Sequence, residues 1–121
     1  HYFTDRLRTD LDPFSELAAS DERWEPVTCG MVVLEVLRGV RVDADYAIYR
    51  ATFDVMACVP TTHRIWESAT LILRSLARRG LIIPPQDALI AASALSIDAP
   101  VLTFDRHFSH IPGLTVMETL D

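Results

Sequence analysis

The sequence contains no lysine: all eleven of its basic residues are arginine. This removes chemistry that depends on a lysine amine, including the α/β phosphoacceptor pocket that binds magnesium and sets a lysine beside the phosphoryl group. Cysteine is almost as scarce. Cys29 and Cys58 lie far apart, in apolar surroundings and outside any metal-ligand spacing, which predicts buried reduced thiols instead of a disulfide. No apolar run approaches the roughly 20 residues needed to span a bilayer, and His1 to Asp10 is mixed polar and charged without a signal-peptide core. A soluble cytoplasmic protein is the expectation. Repeats, low-complexity tracts and linker-like stretches are also missing, so the 121 residues, half of them apolar, read as one domain with one core.

The balance of charge is acidic, with a formal net charge of -6. A binder indifferent to nucleic-acid sequence normally presents a broad basic surface, and this composition does not supply one. Carboxylates gathered to hold cations change the balance: without Glu35, Asp87 and Asp105 the formal charge goes from -6 to -3.

Turn signals divide the chain into short pieces of alternating type. Asp12 and Pro13 read as the N-cap and first position of a short helix through Ala19, followed by a polar loop from Ser20 to Glu25. Val27 and Thr28 are a short apolar entry to a helix from Met31 that Gly39 terminates. Asp43 caps a helix to about Asp54, and Val55 to Val59 reads as a strand ahead of Pro60. Thr61 or Thr62 caps the longest helix, in which Ile65, Ala69, Ile72, Leu73 and Leu76 recur at helical spacing up to Arg79 and Gly80. Leu81 to Ile83 reads as one brief strand stopped by two prolines. In the next helix Asp87, Ile90, Ala91, Ala94 and Leu95 share the inward face. Val101 to Thr103 and Leu114 to Met117 complete the strands. Such alternation predicts an α/β fold with a short, mostly parallel sheet between helix layers.

Three acidic residues stand out by position. Glu35 lies inside a helix among Met31, Val32, Val36 and Leu37; Asp87 opens an alanine-rich helix; Asp105 directly follows a strand. In parallel α/β sheets ligands bind at the carboxyl ends of the strands, where the following helices start, so Asp87 and Asp105 project toward one edge. Gathered carboxylates repel one another unless a cation neutralises them, and a magnesium site is the economical explanation. Each residue also has a structural reading. Asp87 sits where a helix dipole favours a negative charge, Asp105 is placed to cap the turn from Arg106 to Ser109, and Glu35 faces solvent if its helix rotates. Arg38, Arg106 and His107 are nearest in sequence to these acids and are candidates to steer a phosphate. His107 and His110, three apart without further spaced ligands, read as surface histidines.

The runs DALIAASAL from Asp87, APVLTFDRHF from Ala99 and IPGLTV from Ile111 closely resemble the C-terminal signature of PIN-domain nucleases. Upstream, VLEVLRG from Val33 is similar to that family's glutamate-bearing helix, and LRSLARRG from Leu73 to its longest helix. The resemblance spans most of the chain and is weakest between Arg41 and Pro60. It implies a PIN-like three-layer sandwich, four clustered acidic residues, Mg2+ or Mn2+, and RNA cleavage by in-line hydrolysis. Glu35, Asp87 and Asp105 match the second, third and fourth acidic metal ligands, and Thr103 matches a hydroxyl position near the catalytic site. The first aspartate of the pattern belongs to an opening strand that precedes a segment like His1 to Phe3, so the strand is expected to be missing here. Asp5 falls on the wrong side of that segment to replace it. Within that family the chain resembles VapC-type toxins, which implies a homodimer restrained by a cognate antitoxin whose arginine-bearing arm enters the acidic site and lies over grooves around the longest helix, with Trp66 as an anchor or a core residue. A catalytically inactive or truncated module that only binds an antitoxin or assembles with itself is the alternative.

Overall fold

The computed structural model describes residues 2–4 and 25–118. The expected helix from Asp12 to Ala19 and the position of Asp5 lie outside the described residues. Five strands form one wholly parallel sheet: β1 (Tyr2–Thr4), β2 (Pro26–Cys29), β3 (Ala57–Val59), β4 (Val101–Leu102) and β5 (Val116–Met117). Their spatial order is β3-β2-β1-β4-β5. The centre of the sheet, where the sequence pattern expects a missing strand, is filled by Tyr2–Thr4. In register, Phe3 pairs with Val27 on one side and Val101 on the other. Two aromatic residues and a β-branched one make up these three and favour an extended, pleated backbone, which accounts for a segment expected after the strand forming the strand instead.

Strand order reverses at β1: the chain runs outward through β2 and β3, then returns to add β4 and β5 on the far side. In open parallel sheets that reversal opens a crevice at the carboxyl ends of the strands beside the switch point. The end of β4 therefore lies where a ligand is expected.

Among the described residues four α-helices connect the strands: α1 (Gly30–Arg38), α2 (Asp43–Asp54), α3 (His63–Arg78) and α4 (Pro85–Ser96). α3 follows its sequence pattern closely. The Thr62 side chain accepts the Ile65 N–H at the N-terminus, and Ile65, Ala69 and Leu76 are buried along one stripe. At the other end Leu81 N–H donates to the Leu76 carbonyl and Gly80 N–H to that of Ala77, the paired bonds of a Schellman motif. Gly80 has φ +74, a left-handed conformation that a side chain would strain.

That turn also explains why Leu81 to Ile83 is not the expected strand. Between the Schellman turn and Pro84, the residue that precedes α4, the segment has no room to join a sheet, and Ile82 is 89% exposed while Ile83 is buried and Leu81 packs partly buried against the core. The strand expected from Val55 begins two residues later, because Val55 is still the α-helical C-cap of α2 and Met56 N–H donates to the Phe53 carbonyl. Both β4 and β5 form where expected, although each is only two residues long. Thr103 N–H still donates to the Met117 carbonyl, so the extended backbone continues past β4 toward Asp105.

α4 is the central helix. The inward face read from its periodicity is correct, yet Ala88, Leu89, Ala92 and Ser93 are buried as well, so Asp87 to Ala94 is enclosed on every side. A helix apolar all round is a core helix. Alanines let neighbouring elements approach closely, and α4 packs against α3, α1, β1 and the 3-10 turn Arg106–His110. Ser93 escapes an unsatisfied hydroxyl by donating to the Leu89 carbonyl.

The cysteines divide. Cys29 is buried at the start of α1, and burial pushes its thiol above the usual range despite nearby N–H groups and Ser93. Cys58, expected to be buried, is exposed on edge strand β3. Both are free thiols.

Candidate metal centre

Asp87 sits in the first turn of α4, two residues after Pro85. Pro85 at the helix start presets the backbone, and the unpaired N–H groups of this end favour a carboxylate. The side chain is nonetheless wholly buried, at 0% exposure. A dipole interaction worth about 0.3–1 kcal/mol at an exposed position is small beside the several kcal/mol it costs to bury an ion. The dipole alone does not account for an aspartate there.

Asp105 is brought to the same place by the end of β4. Its backbone N–H donates to Thr103 Oγ1 at 3.0 Å, and its carboxylate Oδ1 accepts the His107 N–H at 2.9 Å, capping the 3-10 turn. The capping role anticipated from sequence is thus real, and it coexists with a position beside Asp87. Thr103 is buried, and its hydroxyl fixes the turn that carries the acid.

The third member is one that sequence reasoning set aside. His107 Nδ1 lies 3.0 Å from Asp87 Oδ2 and 3.0 Å from Asp105 Oδ1. Its ring faces inward although its side chain remains 44% exposed, against 0% for Asp87 and 13% for Asp105. Histidine in a sequence carries no sign of the direction its ring will take. The available signal is local: a residue two positions after a capping aspartate has its backbone tied to that aspartate, which keeps its side chain near the carboxylate.

Among the described residues, one group of three has ligand atoms within 4.8 Å of one another: Asp87, Asp105 and His107. Glu35 is not in that group. It lies half-buried on α1, which packs against α4. The other anticipated groups are more distant in character: Arg38, Arg106 and His110 are exposed, and His110 offers its carbonyl to Arg79 Nη1.

Two carboxylates and an imidazole, converging at the carboxyl end of a parallel sheet, are a donor set suited to a hard or borderline divalent cation such as Mg2+ or Mn2+. The charge requirement points the same way. A buried carboxylate beside a second one is stabilised only by a positive partner, which a divalent ion supplies in full.

An open parallel α/β sheet with an acidic, metal-competent crevice at its switch point defines the class of fold, and the sequence model of the PIN domain family matches residues 5–114. The chain belongs to the PIN domain family, in which nuclease activity is typical. The fold is similar to solved toxin–antitoxin structures. VapBC2 from Rickettsia felis, bound to a DNA fragment from its promoter, has a TM-score of 0.74 at 17% identity over 96% of this chain and 97% of its own. DNA-bound VapBC from Salmonella typhimurium gives 0.72 at 19% identity over 95% of each chain. VapBC-5 from Mycobacterium tuberculosis gives 0.62 at 22% identity over 94% of this chain and 97% of its own. No curated protein is significantly similar in sequence.

Proposed function

We propose that the protein is a Mg2+- or Mn2+-dependent endoribonuclease of the VapC toxin type, restrained by a cognate antitoxin. The observation that carries this reading is the convergence of buried Asp87 with Asp105 and His107 at the strand switch point of a PIN fold. Asp87 and Asp105 hold the cation, with Glu35 contributing from α1 and Thr103 fixing the Asp105 turn. Bound there, a divalent cation supplies water activation and charge neutralisation at a phosphodiester, so no side-chain nucleophile is required. The chain itself holds the two carboxylates in place, and exposed Arg106, one residue after Asp105, is positioned to attract the phosphate. In-line attack by water leaves a 5′-phosphate and a 3′-hydroxyl.

Restraint by an antitoxin is supported by the apolar surface the fold leaves open. A groove of about 730 Å3 runs between α1, α2 and β3, lined by Val33, Leu34, Tyr46, Phe53 and Met56 with Arg38 and Arg50 at its border. On α3, Trp66 is 54% exposed and does not complete the core, and Leu71 on the same helix is also exposed. Apolar anchors of this kind suit the hydrophobic face of a partner segment, while the net charge of -6 favours a cationic arm reaching the acidic site. No helix among the described residues is long and apolar enough to cross a membrane.

Co-expression with the neighbouring small open reading frame tests this role. The expected result is a stable complex in which RNA cleavage is suppressed and from which Asp105→Asn weakens retention of the partner. A chain that cleaves RNA at the same rate with and without that neighbour would refute the restrained toxin while leaving the nuclease intact.

A further inference from the structure

His107 is placed as more than a neighbour of the two acids. Its Nδ1 is 3.0 Å from Asp87 Oδ2 and equally 3.0 Å from Asp105 Oδ1. These three atoms all lie within 4.8 Å of one another, so one cation can reach all three, and an imidazole nitrogen in that position is a donor that a divalent transition ion accepts.

The backbone prepares this placement. Asp105 Oδ1 accepts the His107 N–H at 2.9 Å, so the residue's main chain is fixed by one of the carboxylates its ring then meets. Phe108, wholly buried, anchors the next position of the 3-10 turn and prevents the ring from swinging away with the chain. Nδ1 is the ring nitrogen turned inward, toward Asp87 Oδ2 and Asp105 Oδ1.

We propose that His107 is a direct nitrogen ligand of the cation, forming a triad of Asp87 Oδ2, Asp105 Oδ1 and His107 Nδ1, and that it biases the site toward Mn2+ over Mg2+. This rests on the metal-site reading above. The acidic pattern expected from the PIN resemblance contains oxygen donors alone, and Mg2+ prefers such a set. An imidazole nitrogen raises affinity more for transition ions, which accept nitrogen readily.

Pulsed electron paramagnetic resonance on the full chain loaded with Mn2+ reads the nitrogen directly. The expected spectrum shows modulation from a coordinated imidazole nitrogen that shifts when histidine is labelled with the heavy nitrogen isotope. His107→Ala should abolish that modulation and weaken Mn2+ binding roughly tenfold or more, with a smaller loss for Mg2+. His107→Gln, which keeps bulk and hydrogen bonding but not the imidazole, should do the same and guards against a folding defect in the alanine variant. Bound Mn2+ without nitrogen modulation in the wild-type chain would overturn His107 as a ligand and leave the carboxylate site standing. No bound Mn2+ at all would overturn both.

Discussion

Asp87→Asn should abolish the thermal stabilisation that Mg2+ or Mn2+ gives the wild-type protein and lower RNA cleavage by roughly a hundredfold or more, since the cation's contribution to catalysis is worth several kcal/mol. An ion at about a hundred times its dissociation constant adds about 2.7 kcal/mol to the folded state, a shift easily seen in a melting curve. The opposite sign is expected without metal. Asp87 is wholly buried with a second carboxylate in the same ligand group, and replacing it by a neutral amide of the same shape removes the repulsion. The metal-free variant should therefore melt at or above the wild-type temperature, as is usual where a site is kept at the expense of stability. A variant that keeps the metal response would remove Asp87 from the site. One that is much less stable without metal would make the residue structural.

The second large effect is expected at Phe108. Its side chain is fully buried between α4 and the 3-10 turn, next to His107 in sequence. Phe108→Ala should cost about 3–5 kcal/mol by loss of apolar burial and creation of a cavity. For a chain of this size that lowers the melting temperature by roughly 10–20 °C. It should also reduce the metal response, because the turn holding Asp105 and His107 loses its anchor. Leu76→Ala on α3 is the comparison: it is equally buried and similarly costly, but it belongs to a different element from the turn that carries Asp105 and His107 and should leave the metal response of the folded protein unchanged. Equal loss of metal response in both variants would mean that global destabilisation, not the turn, is being measured.

Much of the framework is legible in the residues. The stripe from Ile65 to Leu76 and the glycine at position 80 specify α3 and its end because local packing and turn chemistry agree there. Asp87 and Asp105 are legible as a pair because a helix start and a strand end converge in any parallel α/β sheet. What escapes is whatever depends on the neighbours. α4 shows an inward face in its spacing, yet alanine is small enough to be buried on all sides once β1, α1 and α3 close around it. Leu81 to Ile83 has strand-like composition but is consumed by the turn after α3 and the prolines before α4. Cys58 has apolar neighbours in sequence but lies on an edge strand. His107 looks like a surface histidine until the 3-10 turn directs its ring at two carboxylates. Glu35 is recognisable by its resemblance to a family pattern, whereas the packing of α1 on α4 is encoded by no spacing within α1.

The most direct test of a metal-dependent nuclease centred on Asp87 and Asp105 is cleavage of a defined RNA by the purified, partner-free protein, with the termini of the products identified chemically. The expected result is cleavage that requires Mg2+ or Mn2+, stops when the ion is chelated, resumes when it is restored, and leaves 5′-phosphate and 3′-hydroxyl ends. Cleavage that persists in chelator and leaves cyclic phosphate ends would contradict it, because the hydroxyl of the RNA itself, and not water, would then be the nucleophile.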